Sequence, residues 1–193
     1  MIEAYIQKVG KNLANLKAEK HKIDQISRIM FDTLVAEKKI MFCGNGGSAA
    51  DAQHLAAEFM GRFLVDRKPL PALSLTVDTS AITAIGNDYG FDKVFSRQLR
   101  GIGQSGDILV AISTSGNSVN VIDAIQSARE KDITTIGLTG NGGGQLADLC
   151  DVSIVVQAVQ TNHIQEMHIV IGHLLCAIVE KQMVEFNREK GLN

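Results

Sequence analysis

The sequence predicts an α/β sandwich of about five parallel strands flanked by helices, with two helices ahead of the sheet and one long helix after it. Three observations carry this expectation. Five short apolar runs recur along 193 residues, segments of helical period separate them, and the two kinds of segment alternate. Strands that alternate with helices pair in parallel through right-handed crossovers. The length suits one compact domain with a real core. A single domain over 1–193 is expected, with N-terminal helices (1–37), an α/β core (38–157) and a C-terminal helix (160–187).

The first 37 residues carry Ile2, Ile6, Val9, Leu13 and Leu16 at three- and four-residue spacing, then Ile23, Ile26, Ile29 and Met30, which makes two helices. The strands follow as "KIMFC", "ALSLTV", "DILVAIS", "ITTIGLT" and "DVSIVV". Helical period appears between them in "SAADAQHLAAEFMGRF", "KVFSRQLRGI" and "SVNVIDAIQSAREK", the last with Ser118 as N-cap. The chain then enters "HIQEMHIVIGHLLCAIVEKQMVEF", apolar almost all round through Ile164, Met167, Ile169, Val170, Ile171, Leu174, Leu175, Ile178, Val179 and Met183. Such a helix needs burial on most faces. One sheet layer would leave part of it wet, so this helix and the N-terminal pair are expected to pack against other subunits.

Composition removes several function classes. Hydrophobic residues make up 45%, charged residues 21%, and prolines number two, which fits a folded domain and opposes disorder or a repeat array. With a formal net charge of −2, nothing in the bulk electrostatics favours nucleic acid, and no such partner is expected. No apolar run approaches the ~20 residues of a membrane span, so a soluble, cytoplasmic protein with no membrane partner is expected. Cys43, Cys150 and Cys176 are odd in number, form no CxxC pair and sit among apolar neighbours, as reduced buried thiols do.

Ligands of a doubly wound sheet bind beyond the carboxyl ends of its strands, so the residues just after each apolar run are informative. After "KIMFC" comes Gly44-Asn45-Gly46-Gly47-Ser48, bare backbone leading into a helix, where N–H groups and the helix dipole favour an anion. After "DILVAI" comes Ser113-Thr114-Ser115-Gly116-Asn117-Ser118, four hydroxyls in six residues. Either loop alone is also what a tight turn or a helix cap looks like. At corresponding ends of two strands, a shared phosphate ligand is the better reading. "GNGGGQ" brings only glycine chemistry and reads as structural. The first loop lacks the Gly-Lys-Ser/Thr of a P-loop. Gly44-x-Gly46-x-x-Ala49 meets the relaxed dinucleotide fingerprint, but Asp78 follows Ala49 by nearly 30 positions instead of about 20.

His54 and Glu58 stand at i and i+4 and share a helix face. A surface contact is the ordinary explanation for such a pair. The terminal helix changes the balance, because it is otherwise greasy yet carries Gln165, Glu166, His168 and His173. Burying such groups costs several kcal/mol unless they are paired or bound, so some of them should line a site. Gln165 and His173 are separated by about 12 Å along the helix and some 80° around it, so they can meet one ligand only from opposite sides. His168 reads as a satisfied core or interface histidine.

These blocks resemble the sugar isomerase (SIS) domain family, and specifically the phosphoheptose isomerases. "CGNGGSAADAQHLAAEFMGRF", "LTVDTSAITAIGNDYGFDKVFSRQ", "GDILVAISTSGNSVNVI", "LTGNGGG" and "HIQEMHIVIGH" occur in the family's order, nearly end to end. The resemblance implies a flavodoxin-like three-layer sandwich and a cytoplasmic homotetramer with sites at subunit interfaces and one zinc ion per subunit. It further implies conversion of sedoheptulose 7-phosphate to a heptose 7-phosphate through an enediol, the first step towards the ADP-heptose of lipopolysaccharide core. By the same resemblance, Asn45, Gly46, Gly47 and Ser48 contact substrate, and Asn87 and Asp88 reach it from the loop after the second strand. Ser113, Thr114, Ser115 and Ser118 would bind the phosphate. His54, Glu58, Gln165 and His173 would hold the metal, with Glu58 and His173 also the catalytic acid/base pair, Gln165 also touching substrate, and Arg62 adding a charge. The chain departs from the family at Thr161-Asn162-His163, where many members have a small residue and then a basic one.

Two other classes share the fold. SIS regulators that sense sugar phosphates or bind a replication initiator protein need no acid/base pair, and this chain keeps one. Isomerases of other sugar phosphates, such as arabinose 5-phosphate, usually carry further domains, and none is expected here.

Overall fold

Period-two alternation sorts the strand side chains into two cores. In β1 (Ile40–Gly44) and β3 (Ile108–Ser113), Ile40, Phe42, Ile108, Val110 and Ile112 face one helical layer. Met41, Cys43, Leu109 and Ala111 face the other. Both faces are buried, which is why the runs read as continuously apolar. The computed structural model describes residues 1–191, so the last two residues of the expected domain lie outside it. With β2 (Ala72–Ser74), β4 (Thr134–Thr139) and β5 (Val152–Val155), the strands form one parallel sheet in the order β2-β1-β3-β4-β5.

The first core lies under α1 (Ile2–Asn15), α2 (Lys20–Val35), α3 (Gly47–Met60) and α8 (Thr161–Lys190). The second lies under α4 (Thr79–Tyr89), α5 (Val94–Ile102), α6 (Val119–Arg129) and α7 (Gly144–Leu149). The three-layer sandwich with N-terminal helices and a long C-terminal helix is therefore as the sequence led one to expect.

Several local features differ. "ALSLTV" yields only the three-residue edge strand β2, after which Asp78 caps a helix that the sequence reading lacked, its Oδ1 accepting from the Ala81 N–H at 2.9 Å. Ile82 and Ile85 of that helix pack on the second core, and Gly90, at φ 90°, ends it. Asn87 and Asp88, expected on a loop, thus belong to the last turn of α4. α7 was also not foreseen, being only six residues long. Cys43 and Cys176 are buried as expected, while Cys150 is half-buried. Burial pushes the thiols of Cys150 and Cys176 up to about 12, which leaves them neutral.

α8 sets Ile164, Met167, Ile171, Leu175, Val179 and Met183 against the first core. Its outward side is less well covered. Val170, Leu174 and Ile178 line an open apolar groove with Leu13, Leu16 and Ile23, and Leu13 and Leu174 are exposed. The start of α8 is tied to α1 through Asn162, His163 and Glu166. The Tyr5 hydroxyl donates to Glu166, Asn162 Nδ2 donates to the Tyr5 oxygen at 2.8 Å, and His163 Nδ1 lies 2.8 Å from the second Glu166 oxygen.

Candidate active site

From β1 the chain moves to the edge strand β2, then crosses back to place β3 on the other side of β1. The crevice between the carboxyl ends of β1 and β3 is the switch point at which such sheets bind ligands. Both loops singled out by the sequence open there. The first is shorter than expected, because α3 begins at Gly47, with Gly46 at φ 56° in the N-cap position and Ser48 already buried in the helix. The two loops are joined by a residue the sequence reading missed. Asn120, in the first turn of α6, exchanges two amide hydrogen bonds with Asn45, each 2.8 Å. The sequence signal was an asparagine two residues after the hydroxyl-rich loop. Each amide keeps one N–H and one lone pair for a ligand.

In the second loop, Ser113 Oγ lies 3.0 Å from Ser118 Oγ and 3.5 Å from Ser115 Oγ. Ser118 holds the N-cap position of α6, as expected, but turns its hydroxyl to Ser113 instead of capping. The first N–H groups of α6 thus lack a side-chain cap and stand beside three gathered hydroxyls, a natural anion cradle. Thr114 is half-buried between them. Gly116 fixes the shape of this turn: its φ is 66°, and a Cβ there would lie 1.9 Å from the Gly143 carbonyl oxygen. The "GNGGGQ" turn therefore buttresses the cradle from below.

The polar set on α3 and α8 also meets. His54 Nε2 lies 2.9 Å from His173 Nε2 and 3.4 Å from Glu58 Oε1. The Phe63 ring stacks on His173, with centroids 5.5 Å apart and planes at 28°. Gln165 lies about two turns before His173 on α8, its amide so close to Gly47 that a Cβ on that residue would come within 2.4 Å of Nε2. Asp51, one turn before His54, is buried beside Gln165, with its Oδ2 lacking a hydrogen-bond partner. Burial raises the Asp51 carboxyl above its ordinary range, against the pull of Gln165, His54 and His173. His168, expected to be satisfied, is buried with no hydrogen-bond partner on either ring nitrogen.

Arg62, Asn87 and Asp88 are not drawn in. Arg62 is exposed on the turn after α3. Asn87 donates to its neighbour Asp88 at 2.8 Å, and no hydrogen bond joins either to the two loops among the described residues. Nor, among those residues, do three His, Cys, Asp or Glu side chains point at one centre. His54 instead sits in the middle, between His173 and Glu58. Two imidazole nitrogens 2.9 Å apart can be bridged by one proton or by one shared cation, and cannot both carry protons there. With the Glu58 carboxylate beside them and the Gln165 amide eight residues before His173 on α8, the donor types are nitrogen and oxygen of the kind zinc takes.

A model of the SIS domain family matches residues 4–140. The chain is 59% identical to a phosphoheptose isomerase of Rhodospirillum rubrum over 158 residues, covering 82% of this chain and 84% of that one. It is 53% identical to a phosphoheptose isomerase of Akkermansia muciniphila over 175 residues, 91% and 93% of the two chains. Among solved structures, the phosphoheptose isomerase of Neisseria gonorrhoeae superposes with a TM-score of 0.88 at 44% identity, over 93% of this chain and 97% of that one. The family model takes in both loops and α3, and the chain belongs to the SIS domain family, in its phosphoheptose isomerase branch.

Proposed function

We propose that the chain isomerises D-sedoheptulose 7-phosphate to D-glycero-D-manno-heptose 7-phosphate, at the head of an ADP-heptose route to bacterial lipopolysaccharide core. The observation that carries this reading is the meeting of His54, Glu58 and His173 on the facing helices α3 and α8, with α3 itself starting from the loop that opens beside the serine cradle.

A ketose becomes an aldose when the proton on C1 is moved to C2 and the hydroxyl and carbonyl exchange carbons. Glu58 takes the C1 proton, the released electron pair forms the C1–C2 double bond, and His173 protonates O2 to give the cis-enediol. His173 then takes the proton from O1, the C1 carbonyl forms, and Glu58 returns its proton to C2. Protons and electrons balance without a redox partner. Ser113, Thr114, Ser115 and Ser118 grip the phosphate far from the reacting carbons, which orients them. Asn45, Gly46, Gly47, Ser48 and Gln165 hold the sugar; Asn87, Asp88 and Arg62, which stand apart from the two loops within one chain, are assigned as further substrate contacts. Zinc, one per subunit, is assigned to His54, Glu58, Gln165 and His173, where it supplies Lewis-acid polarisation of the substrate oxygens when bound.

The assembly belonging to this reading is a homotetramer with sites completed at subunit interfaces. The apolar groove between the N-terminal helices and α8 supports it. Light scattering that finds a monomer at micromolar concentration would overturn that part. A cytoplasmic setting goes with three unpaired thiols; no helix among the described residues is long and apolar enough to cross a membrane.

Proton NMR of sedoheptulose 7-phosphate in D2O tests the reaction. The expected result is an aldose carrying deuterium at C2, lost on chelation and restored by zinc. Glu58→Gln is expected to lower turnover by about 10²- to 10⁴-fold. Absence of turnover with zinc present would favour a non-catalytic SIS regulator that binds sugar phosphate or a replication initiator protein.

A further inference from the structure

The proposed chemistry leaves unused the most deeply buried ion pair among the described residues. Arg67 and Glu180 meet at 3.2 Å, with side chains 4% and 3% exposed. Glu180 lies on α8, two turns after His173. Its oxygens also accept from the main-chain N–H groups of Phe63 at 2.8 Å, Leu64 at 2.7 Å and Val65 at 3.2 Å. Arg67 sends Nη2 to the Glu58 carbonyl at 2.8 Å, and Nη1 to the carbonyls of Phe59, Gly61 and Lys68 at 2.8, 3.0 and 3.1 Å. Glu58, Phe59 and Gly61 mark the end of α3, where helix carbonyls run out of intrahelical partners.

A buried ion pair is a poor source of stability, because desolvation cancels much of the attraction. What it does supply here is a fixed distance. Burial works against the ionised form of Glu180, yet the three N–H groups and Arg67 hold its carboxyl below the usual range. The clamp therefore stays charged and closed. One of its arms ends on the main chain of Glu58. A second fixes the backbone of Phe63, whose ring lies on His173. Both proposed catalytic side chains are thus referred to a single point between α3 and α8.

We propose that Arg67 and Glu180 are positioning residues for the acid/base pair, acting on Glu58 through its carbonyl and on His173 through the Phe63 ring. The inference rests on the isomerase reading of Glu58 and His173.

Three variants test it: Glu180→Gln, Arg67→Lys and Phe63→Leu, the last leaving every charge in place so that a fold lost to a halved ion pair does not end the test. The folded fraction of each is read by circular dichroism, and kcat is expressed per folded molecule. The expected result is a fall in kcat of about 10- to 100-fold for Glu180→Gln and Arg67→Lys with KM within about 3-fold. The double variant should be no slower than the slower single one, since the two residues act as one unit. Phe63→Leu should shift the pH profile of kcat and remove the ring-current shift on the His173 imidazole proton in NMR, and Glu180→Gln should reduce that same shift. Normal kcat per folded molecule in both Glu180→Gln and Phe63→Leu, or a His173 signal unmoved in Glu180→Gln, would overturn the proposal. If wild-type protein turned over no sedoheptulose 7-phosphate, the isomerase reading would fall, and the NMR signal would still decide whether the clamp places His173.

Discussion

His168 makes a stability prediction that can be worked through to a number. The residue is 1% exposed on the sheet side of α8, and neither ring nitrogen has a hydrogen-bond partner. Burial pushes its pKa down to about 4; the Thr139 main chain offsets part of this without reaching hydrogen-bond geometry. In the unfolded chain the imidazole titrates near 6.5. A folded pKa below the unfolded one means the contribution is complete above about pH 6.5 and is lost as pH falls towards 4, because only the unfolded chain gains the proton over that range. About 2.5 pH units at 1.36 kcal/mol each amounts to about 3 kcal/mol. The assay is urea unfolding followed by circular dichroism between pH 7.5 and 4.5, at fixed protein concentration, for wild type and His168→Leu. Titration of the other groups is common to both proteins and cancels in the difference. At pH 7.5 the variant should equal or exceed the wild type, since it removes two unpaired buried nitrogens. On acidification the gap should widen in the variant's favour by about 2 to 3 kcal/mol. Parallel stability curves would refute the reasoning and show that His168 gains a proton or a partner inside the fold.

Glu180 has its window at lower pH. Its depressed carboxyl adds stability above about pH 4.3 that is lost below it, so Glu180→Gln should flatten the acid limb of unfolding there and leave the His168 window untouched. Gly47→Ala would drive a methyl into the far end of the flexible Gln165 side chain, so it should cost less than about 1 kcal/mol in stability and more than about 10-fold in turnover. Gly116→Ala meets the rigid Gly143 backbone at positive φ, and should destabilise by at least about 2 kcal/mol in thermal unfolding. Ser118→Ala should raise KM for the sugar phosphate by about 10-fold with kcat within about 2-fold, the sign of a binding contact distant from the reacting carbons.

The strands and the long helices could be read from the sequence because their apolar spacing is dense: nearly every residue of β1, β3 and β4 is buried. α4 escaped because Ile82 and Ile85 are its only apolar residues packed on a core, and no residue of it is fully buried. The second strand was overread because its edge position leaves it one neighbour, and pairing stops after Ser74. At the site, residue types and spacing marked His54 and Glu58 and a polar set on α8, from which the family resemblance singled out Gln165 and His173, but only strand order brings the two loops to one crevice, and strand order leaves no trace in periodicity. Asn120 was hidden for the same reason, since its partner lies 75 positions away. Arg67 and Glu180 look like ordinary solvated charges in a chain of 193 residues. Their burial exists only once α8 has docked on α3.

That docking also sets the order in which the molecule matures. α8 follows every strand, so on the ribosome the whole sheet is made before its 30 residues emerge, a delay of about 2 to 6 s at ordinary translation rates. During that interval Ile136 and Leu138 of β4 lack the helix that packs over their strand in the first core. The nascent chain must pass through a stage with one finished face and one sticky one, the stage at which chaperones bind or chains aggregate. The segment that hides this apolar surface carries Gln165, His173 and Glu180. A nascent chain therefore cannot acquire its chemistry before it becomes safe from its neighbours, and a lesion that slows the docking of α8 would reduce the yield of soluble protein and of active sites in step.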